Sequence, residues 1–360
     1  MPEGHTVHRL ARTFDSLYAG QVLRVSSPQG RFADGAAVLS GRRLVASEAW
    51  GKQLFLGFAP PDVSDAQVTG ASSAADTSAA DTSAADTVWL RTHLGLYGAW
   101  TFAGAPGAPE VAHAIGAPRR RIGERETTAP PPPSDRSAAQ ATPATSTSDT
   151  WEAPEPRGQV RVRLLGDHAV ADLTGPTACE VITSAEKMAV EARLGPDPIR
   201  DDGDVDAFVA RVGRSRVAIG QQLMDQAVVA GIGNIYRAEA LFRAGVDPLR
   251  PGRDVPAAML RALWADLVAL MRDGAARGAI VTTRPEDRES PHGRPPEAAR
   301  PPEARGRTRQ NTDGAPDAVP SDQAFYVYHR DGLPCRQCGS PVLVKELAGR
   351  NLFWCGTCQR

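Results

Sequence analysis

The chain has 360 residues, among them 34 glycines and 30 prolines, and a formal net charge of −1. This length allows two domains, whereas the glycine and proline content indicates that part of the chain does not fold. No apolar run of about 18 residues occurs, so no membrane span is predicted. The start lacks a basic segment followed by apolar residues, which argues against a secretory signal and predicts a cytosolic protein.

The charge is unevenly distributed. Residues 59–87 hold five Asp and no basic residue, whereas residues 207–250 hold six Arg against three acidic residues. The near-neutral total is an average over unlike segments, and it does not exclude a nucleic acid partner.

The chain opens with MPEGHT. Most chain termini are inert, and Pro2 and Glu3 are common residues. Removal of Met1 would nevertheless leave Pro2 with a free secondary amine, and an α-amine has a pKa near ~8, so that a useful fraction is an unprotonated nucleophile at neutral pH. An amine beside a carboxyl group suits Schiff-base chemistry, in which the amine attacks an electrophilic carbon and the acid moves protons.

The next segments predict a β domain with one helix. TVHRLARTFDSLYAG has apolar residues at helical spacing from Val7 to Tyr18, and Gly20 can end the helix. Gly166 and Asp167 predict a hairpin between two of the strands that follow. The predicted strands lie in QVLRVSSP, RLVASEAW, KQLFLGF, VWLRTHL, AWTF, QVRVRLL, HAVADLT and ACEVIT. This domain is predicted to span residues 1–185 as a two-layered β structure.

Three polar segments interrupt these patterns. The first, about 59–87, contains SAADT three times, with Asp76, Asp81 and Asp86. The second, about 104–157, and the third, 284–322, are rich in Pro, Ala and charged residues. They lack the apolar content that offsets ordering entropy, so they are predicted to be disordered insertions.

Residues 186–283 are predicted to be helical. DAFVARV, AIGQQLMDQAVVA, NIYRAEALFRAG and AAMLRALWADLVALMRDG each have helical spacing. The glycines of AGIGN permit a sharp turn between two helices, and Asn234 stands where the second begins. Asn at that position predicts an N-cap. A helix start with free amides is also an anion site, so this turn could bind a phosphate.

The tail, residues 323–360, contains two C-x-x-C pairs separated by 16 residues: Cys335, Cys338, Cys355 and Cys358. This spacing predicts one structural zinc with four thiolate ligands, and a disulfide or redox pair is the alternative. Between the pairs lie Lys345, Arg350, Phe353 and Trp354. A basic residue on a rigid hairpin suits phosphate contact, although a solvated loop Arg is the more common explanation. Cys179 is predicted to be a buried apolar residue.

Five motifs in order carry a family resemblance: PEGHTVHRLA, WGKQLF, LGLYGAW, LMDQAVVAGIGNIYRAEALF and YHRDGLPCRQCGS…GRNLFWCGTCQ. Together they resemble the formamidopyrimidine-DNA glycosylase and endonuclease VIII family of base-excision repair enzymes, most of all bacterial endonuclease VIII. The resemblance covers both foldable blocks and skips the polar insertions. It implies an α+β fold with an N-terminal β-sandwich and flanking helix, and a C-terminal helical domain with a helix–two-turn–helix motif and a zinc ribbon.

The resemblance also implies roles for single residues. Pro2 is the nucleophile that attacks C1′ of a damaged nucleotide, and Glu3 the general acid and base. Lys52, otherwise a solvated turn lysine, assists protonation and strand elimination, and Arg350 grips phosphate and is linked to the second elimination. Arg193 and Asn234 match phosphate-contact positions.

Leu96 and Tyr97 match the residues that fill the space left by a flipped nucleotide; without the resemblance they could be a core pair at a strand end. Endonuclease VIII usually has Gln where this chain has Gly95, which leaves the contact to the opposite strand in doubt and implies a loose opposite-base preference.

The sequence therefore predicts a monomeric, bifunctional glycosylase and abasic-site lyase that acts on damaged double-stranded DNA, with pyrimidine lesions favoured, in the cytoplasm of a bacterium near the nucleoid. The alternative is a catalytically silent protein that binds damaged DNA. Pro2, Glu3 and Lys52 favour the enzyme, because a silent relative could lose any of them.

Overall fold

The computed structural model describes residues 2–61, 86–116, 151–288, 319–320 and 322–360. Most of the SAADT repeat, including Asp76 and Asp81, and the greater part of the other two polar segments lie outside these residues. Phe58 pairs with Val88 across two neighbouring strands, so the first polar segment leaves and rejoins the fold at adjacent strand ends. The predicted domain bounds stay a prediction.

Nine antiparallel strands form the N-terminal sheet. They are β1 Val22–Ser26, β2 Arg42–Trp50, β3 Gln53–Ala59, β4 Val88–His93, β5 Ala99–Gly104, β6 Ala114–Gly116, β7 Val160–Leu165, β8 Ala169–Thr174 and β9 Ala178–Thr183. Their order in the sheet is β6-β5-β8-β7-β1-β2-β3-β4-β9. Strand β1 belongs to both halves of the sheet, and side chains from both halves join the N-terminal helix in one hydrophobic core, which gives the expected two-layered structure.

Helix α1, Gly4–Tyr18, confirms the N-terminal prediction. Its apolar face is fully buried, and the Phe14 ring meets the Trp100 ring edge-on at 4.8 Å. Gly20, at φ 75°, turns the chain toward β1 in the left-handed conformation that glycine tolerates best. The helix thereby anchors the N-terminus over the core.

The C-terminal part is helical in the described residues, and none of its helices is long and apolar enough to cross a membrane. Helix α5, Ile219–Gln222, is a single turn, so the prediction of a longer helix over residues 218–230 is wrong. Ile219, Leu223 and Val229 of this segment are buried in the core, while the side chains of Asp225 and Gln226 accept hydrogen bonds from backbone N–H groups in turns. The helices are α2 Ala33–Leu39, α3 Ser184–Glu191, α4 Val205–Gly213, α5 Ile219–Gln222, α6 Asn234–Arg243, α7 Ala257–Arg277 and α8 Pro285–Arg288, with a 3₁₀ turn at Gly252–Asp254.

A two-stranded hairpin, β10 Leu343–Leu347 and β11 Arg350–Trp354, forms the C-terminal ribbon. Ala348 and Gly349 have φ of 52° and 72°, as the tight turn between antiparallel strands requires. The buried Phe353 ring lies 5.4 Å from Tyr328, and the ribbon shares a hydrophobic cluster with α6.

The structure corrects the limits of two polar segments. Ala112 and Ile115 are buried and β6 completes one edge of the sheet, so the segment predicted to begin near 104 belongs to the fold as far as residue 116. Helix α8 falls inside the segment predicted to begin at 284. Short apolar runs such as VAHAIG give weak sequence signals.

Cys179 is half-buried against the core, and burial raises the pKa of its thiol to about 12.

Candidate active site

Glu3 is buried, with 1% of its surface exposed, and its carboxylate binds the start of helix α6. Oε2 accepts hydrogen bonds from the N–H groups of Gly233 at 2.8 Å and Tyr236 at 3.4 Å, and Oε1 accepts one from Ile235 at 2.8 Å. The start of a helix has unpaired N–H donors and favours negative charge. Glu3 therefore caps a helix more than 200 residues away in the sequence, and it follows directly on Pro2, which is also buried.

The N-cap predicted for Asn234 is wrong, because Gly233 occupies that position and Asn234 is the first helical residue. The Asn234 side chain instead donates to the Asn351 carbonyl on β11, at 2.9 Å. The three amides at the helix start are occupied by Glu3, so they are not the phosphate site that the turn suggested. The side-chain amide of Asn234 therefore connects the start of α6 to the hairpin.

Lys52 is half-buried and not a freely solvated turn residue. Its Nζ donates to the Ile232 carbonyl at 2.6 Å. The preceding Gly51 donates its N–H to Asp197 Oδ2 at 2.7 Å, and the same carboxylate oxygen lies 2.7 Å from His8 Nε2. Asp197 is 1% exposed, so the turn that presents Lys52 is fixed from beneath by a buried carboxylate. Asp197 could not be found from the sequence, since a lone Asp after Gly-Pro signals only a turn.

Three glycines let the N-terminus, the β2–β3 turn and the turn before α6 approach one another. A Cβ on Gly4 would lie 2.8 Å from Gly231 Cα, and one on Gly51 would lie 2.9 Å from the Ala230 Cβ. The Gly4 N–H donates to the Gly231 carbonyl at 2.8 Å. The glycines of AGIGN thus serve close approach between segments as well as the predicted turn.

We expect Gly233→Ala to displace the Glu3 carboxylate. Gly233 has an extended backbone that any residue adopts, but its added Cβ would lie 2.5 Å from the Glu3 carboxyl carbon. Loss of a buried, charged hydrogen bond costs about 1–3 kcal/mol, which a denaturant titration measures. Gly213→Ala is the matched control, because nothing lies within 4 Å of its added Cβ. Equal stability of the two variants would contradict the capping role of Glu3.

Arg350 is exposed and is the first residue of β11, directly after the hairpin turn. It pairs through its backbone with Leu347, and the next residue, Asn351, accepts the hydrogen bond from Asn234. The hairpin therefore presents a guanidinium beside the start of α6.

Leu96 and Tyr97 are exposed, by 43% and 57%, in the turn that follows β4. The interpretation as a core pair is therefore excluded. Gln53 pairs with His93, which places this turn and the Lys52 turn at the same end of the sheet. Two exposed large side chains on a fixed turn can enter a partner molecule.

The structure accounts for Gly95 in front of this pair. Gly95 has φ 64°, and a Cβ there would lie 2.3 Å from Thr177 Cγ2. A Gln at this position would therefore be strained in conformation and would collide with Thr177.

His93 is a second residue that could not be found from the sequence. Burial lowers the pKa of His93, and the positive charges of Lys52 and Arg91 lower it further. Its Nδ1 lies 2.8 Å from Thr177 Oγ1. A single His in a strand gives no sequence signal, and only the pairing of β3 with β4 shows its proximity to Lys52.

Arg193 is exposed, and no hydrogen bond among the described residues joins its side chain to the other candidates. Gly195, two residues later, donates its N–H to the Gln226 carbonyl at 2.7 Å. This contact places Arg193 near the turns that precede α6, at the margin of the site.

The four cysteine Sγ atoms of the ribbon lie within 4.8 Å of one another, with distances of 3.8 Å for Cys335–Cys358 and 3.5 Å for Cys338–Cys355. Tetrahedral zinc with Zn–S bonds of about 2.3 Å requires sulfur atoms about 3.8 Å apart. The four thiolates fit one zinc ion and fill its coordination, so this zinc is structural.

We expect metal analysis to find one zinc per chain. Cys355→Ser should lower zinc occupancy and the melting temperature, since Cys355 is buried where the ribbon packs on α6. Cys179→Ser is the control, because Cys179 lies in β9 and should leave zinc content unchanged. Fully active protein without metal would contradict a structural zinc.

Two protein-family models match segments in the C-terminal half of the chain. Residues 194–285 match the family model "Formamidopyrimidine-DNA glycosylase H2TH domain", and residues 332–360 match "Zinc finger found in FPG and IleRS". The chain is 38% identical over 359 residues to Endonuclease 8 1 of Mycobacterium tuberculosis, covering 100% of both chains. It is 33% identical over 196 residues to the formamidopyrimidine-DNA glycosylase of Rhodospirillum rubrum, covering 51% of this chain and 60% of that protein. The crystal structure of the MutM (Fpg) protein of Thermus thermophilus has the same fold, with a TM-score of 0.58 at 22% identity over 99% of this chain and 98% of that one.

Proposed function

Because the chain belongs to the formamidopyrimidine-DNA glycosylase and endonuclease VIII family, we propose that it excises oxidised bases, pyrimidines above all, through a Schiff base on Pro2 and then nicks the strand twice. Family membership makes the chain a DNA glycosylase and abasic-site lyase of base-excision repair. The lesion preference, the route and the residue roles are our proposal. The observation that carries it is the convergence of Glu3, Lys52 and the zinc hairpin on residues 231–235.

The first step uses the N-terminal amine. Once Met1 has been removed, the Pro2 nitrogen attacks C1′ of the damaged nucleotide, a C1′–N bond forms, and the bond to the base breaks. The base leaves with the bonding electrons and takes up a proton. The Glu3 carboxylate, which accepts backbone hydrogen bonds on both oxygens, takes up the proton that the Pro2 nitrogen loses as the C1′–N bond forms and passes it to the sugar ring oxygen or the leaving base.

Ring opening then gives a cationic Schiff base, an iminium ion between Pro2 and C1′ whose nitrogen carries no proton. Removal of a C2′ proton expels the 3′-phosphate, and removal of a C4′ proton expels the 5′-phosphate, so each phosphate departs with its bonding electrons. The ammonium of Lys52, fixed against the Ile232 carbonyl, assists proton transfer. Arg350 and Asn234 hold the phosphate at the lesion.

Leu96 and Tyr97 fill the space from which the nucleotide is flipped. Because Gly95 and Thr177 leave no room for a Gln side chain, the opposite strand receives one polar contact fewer. We therefore propose that the base opposite the lesion has little influence on excision. The double-stranded substrate places this activity at the bacterial nucleoid.

Excision from a panel of duplexes tests this function. We expect oxidised pyrimidines to be released faster than 8-oxoguanine, with similar rates opposite each of the four bases. The nicked product should carry phosphate at both ends. Tight binding of the same duplexes without release of any base would instead support the catalytically silent, damage-binding alternative.

A further inference from the structure

Arg237, on the first turn of α6, carries a buried positive charge without a carboxylate partner. It is 0% exposed, and within the described ranges its guanidinium forms no ion pair and its Nε has no hydrogen-bond partner. Arg243, at the other end of the same helix, pairs with Asp266 through both carboxylate oxygens. Burying a charge that no carboxylate contacts directly is costly, so a further anion near the site would stabilise Arg237.

The remaining donors of Arg237 join three segments of the site. Its Nη2 donates to the Asn351 carbonyl at 3.0 Å and to the Asn234 side-chain oxygen, and its Nη1 donates to the Gly220 carbonyl at 3.4 Å. The Asn234 amide nitrogen bonds the same Asn351 carbonyl. Arg237 thereby fixes both the orientation of the Asn234 amide and the position of β11.

The surrounding charges indicate where the missing anion would lie. Burial lowers the pKa of Arg237 to about 10; the negative charge of Glu3 opposes this shift and the positive charge of Arg350 adds to it. Two guanidiniums thus repel each other at the start of β11. A phosphate bound by the exposed Arg350 reduces this repulsion.

We infer that Arg237 is a positioning residue that holds the zinc hairpin against α6, so that Arg350 and Asn234 meet one DNA phosphate at the lesion. This inference rests on the proposed function and deepens it. Without Arg237, the hairpin keeps its zinc but no longer places Arg350 on the phosphate that departs in the second elimination. Loss of the C5′–O5′ bond is then slowed more than the first elimination.

Arg237→Met tests the inference, with Arg243→Met as the matched control on the same helix. On duplex DNA with a preformed abasic site, we expect the ratio of second to first elimination product to fall by about ten- to hundredfold in Arg237→Met, the range for loss of a charged hydrogen bond. Arg243→Met loses an ion pair away from the site, so it should lower the melting temperature but keep the wild-type ratio. Both variants should retain one zinc per chain.

A double variant and a conservative variant complete the test. If Arg237 acts through Arg350, Arg237→Met combined with Arg350→Gln should give the product ratio of Arg350→Gln alone. Arg237→Lys keeps the positive charge but cannot reach both Asn acceptors at once. We expect this variant to fold and to give an intermediate product ratio. It therefore tests the inference even if Arg237→Met does not fold. A wild-type ratio in a folded Arg237 variant, or an equal shift in Arg243→Met, would overturn the inference. Absence of any covalent adduct between the wild-type chain and abasic DNA would overturn the proposed function instead.

Discussion

We expect protein that retains Met1 to lose its borohydride-trapped adduct with abasic DNA, and the processed chain to be trapped through Pro2. Only the processed chain has a secondary amine at Pro2; with Met1 in place, that nitrogen is an amide without a basic lone pair. The amine condenses with the C1′ aldehyde, water leaves, and borohydride reduces the resulting C=N bond to a stable amine. We expect trapping by the retained-Met1 protein to fall to background, which denaturing gel electrophoresis measures.

Pro2→Gly and Lys52→Gln locate the attacking nitrogen. Pro2→Gly retains a terminal amine, a primary one, and should give reduced trapping. Lys52→Gln removes the other candidate amine near the site and should slow turnover while leaving the adduct on Pro2. Undiminished trapping of the retained-Met1 protein, with the adduct mapped to an internal lysine by mass spectrometry, would show that Pro2 is not the nucleophile.

We expect Glu3→Gln nearly to abolish release of a damaged base but to retain measurable cleavage at a preformed abasic site. Base release requires a proton donor, and general acid catalysis contributes about 10²–10⁴-fold, whereas the abasic aldehyde is already electrophilic. The amide also replaces one acceptor by a donor that faces the N–H group of Gly233 or Ile235, so we expect a lower melting temperature as well. Single-turnover rates on the two substrates measure the separation.

Glu239→Gln controls for the structural part of this effect. Glu239 is also a buried carboxylate bound by backbone amides, those of residues 326–328, but it supports the chain before the zinc ribbon. We expect Glu239→Gln to lower stability while both activities fall together. If Glu3→Gln also lost both activities in equal proportion, Glu3 would serve to position Pro2 and not to donate a proton.

The regular elements could be predicted because their signals are local. The spacing of apolar residues in α1, the Gly166–Asp167 hairpin and the four-cysteine ribbon each depend on residues close in the sequence. The prediction of Asn234 as an N-cap is wrong for the opposite reason. An Asn before a helical pattern has a strong local preference for the cap, but a carboxylate 231 residues away occupies the helix start, and no local pattern carries that information.

Of the other missed features, one has a local cause and two depend on residues that are distant in the sequence. The single turn of α5 arises because Asp225 and Gln226 compete for backbone donors that a longer helix would use. Asp197 supports the Lys52 turn across 146 residues, and His93 approaches Lys52 only through strand pairing. The family resemblance identifies Pro2 and Glu3 as candidate catalytic residues from the sequence, whereas it does not identify the residues that support the site.

The bond between Glu3 and the start of α6 also sets the order in which the chain becomes competent during synthesis. The N-terminus leaves the ribosome first, yet the partners of Glu3 and Gly4 lie at residues 231–236 and emerge only after nearly two thirds of the chain. A prematurely terminated chain that ends before residue 231 has no counterpart for its N-terminal carboxylate and no zinc hairpin. Contacts of such long sequence separation form late in folding. If Pro2 acts as we propose, its amine is synthesised early, but its alignment is delayed until the C-terminal helices and the zinc hairpin have been made, so incomplete chains lack a complete site for strand cleavage.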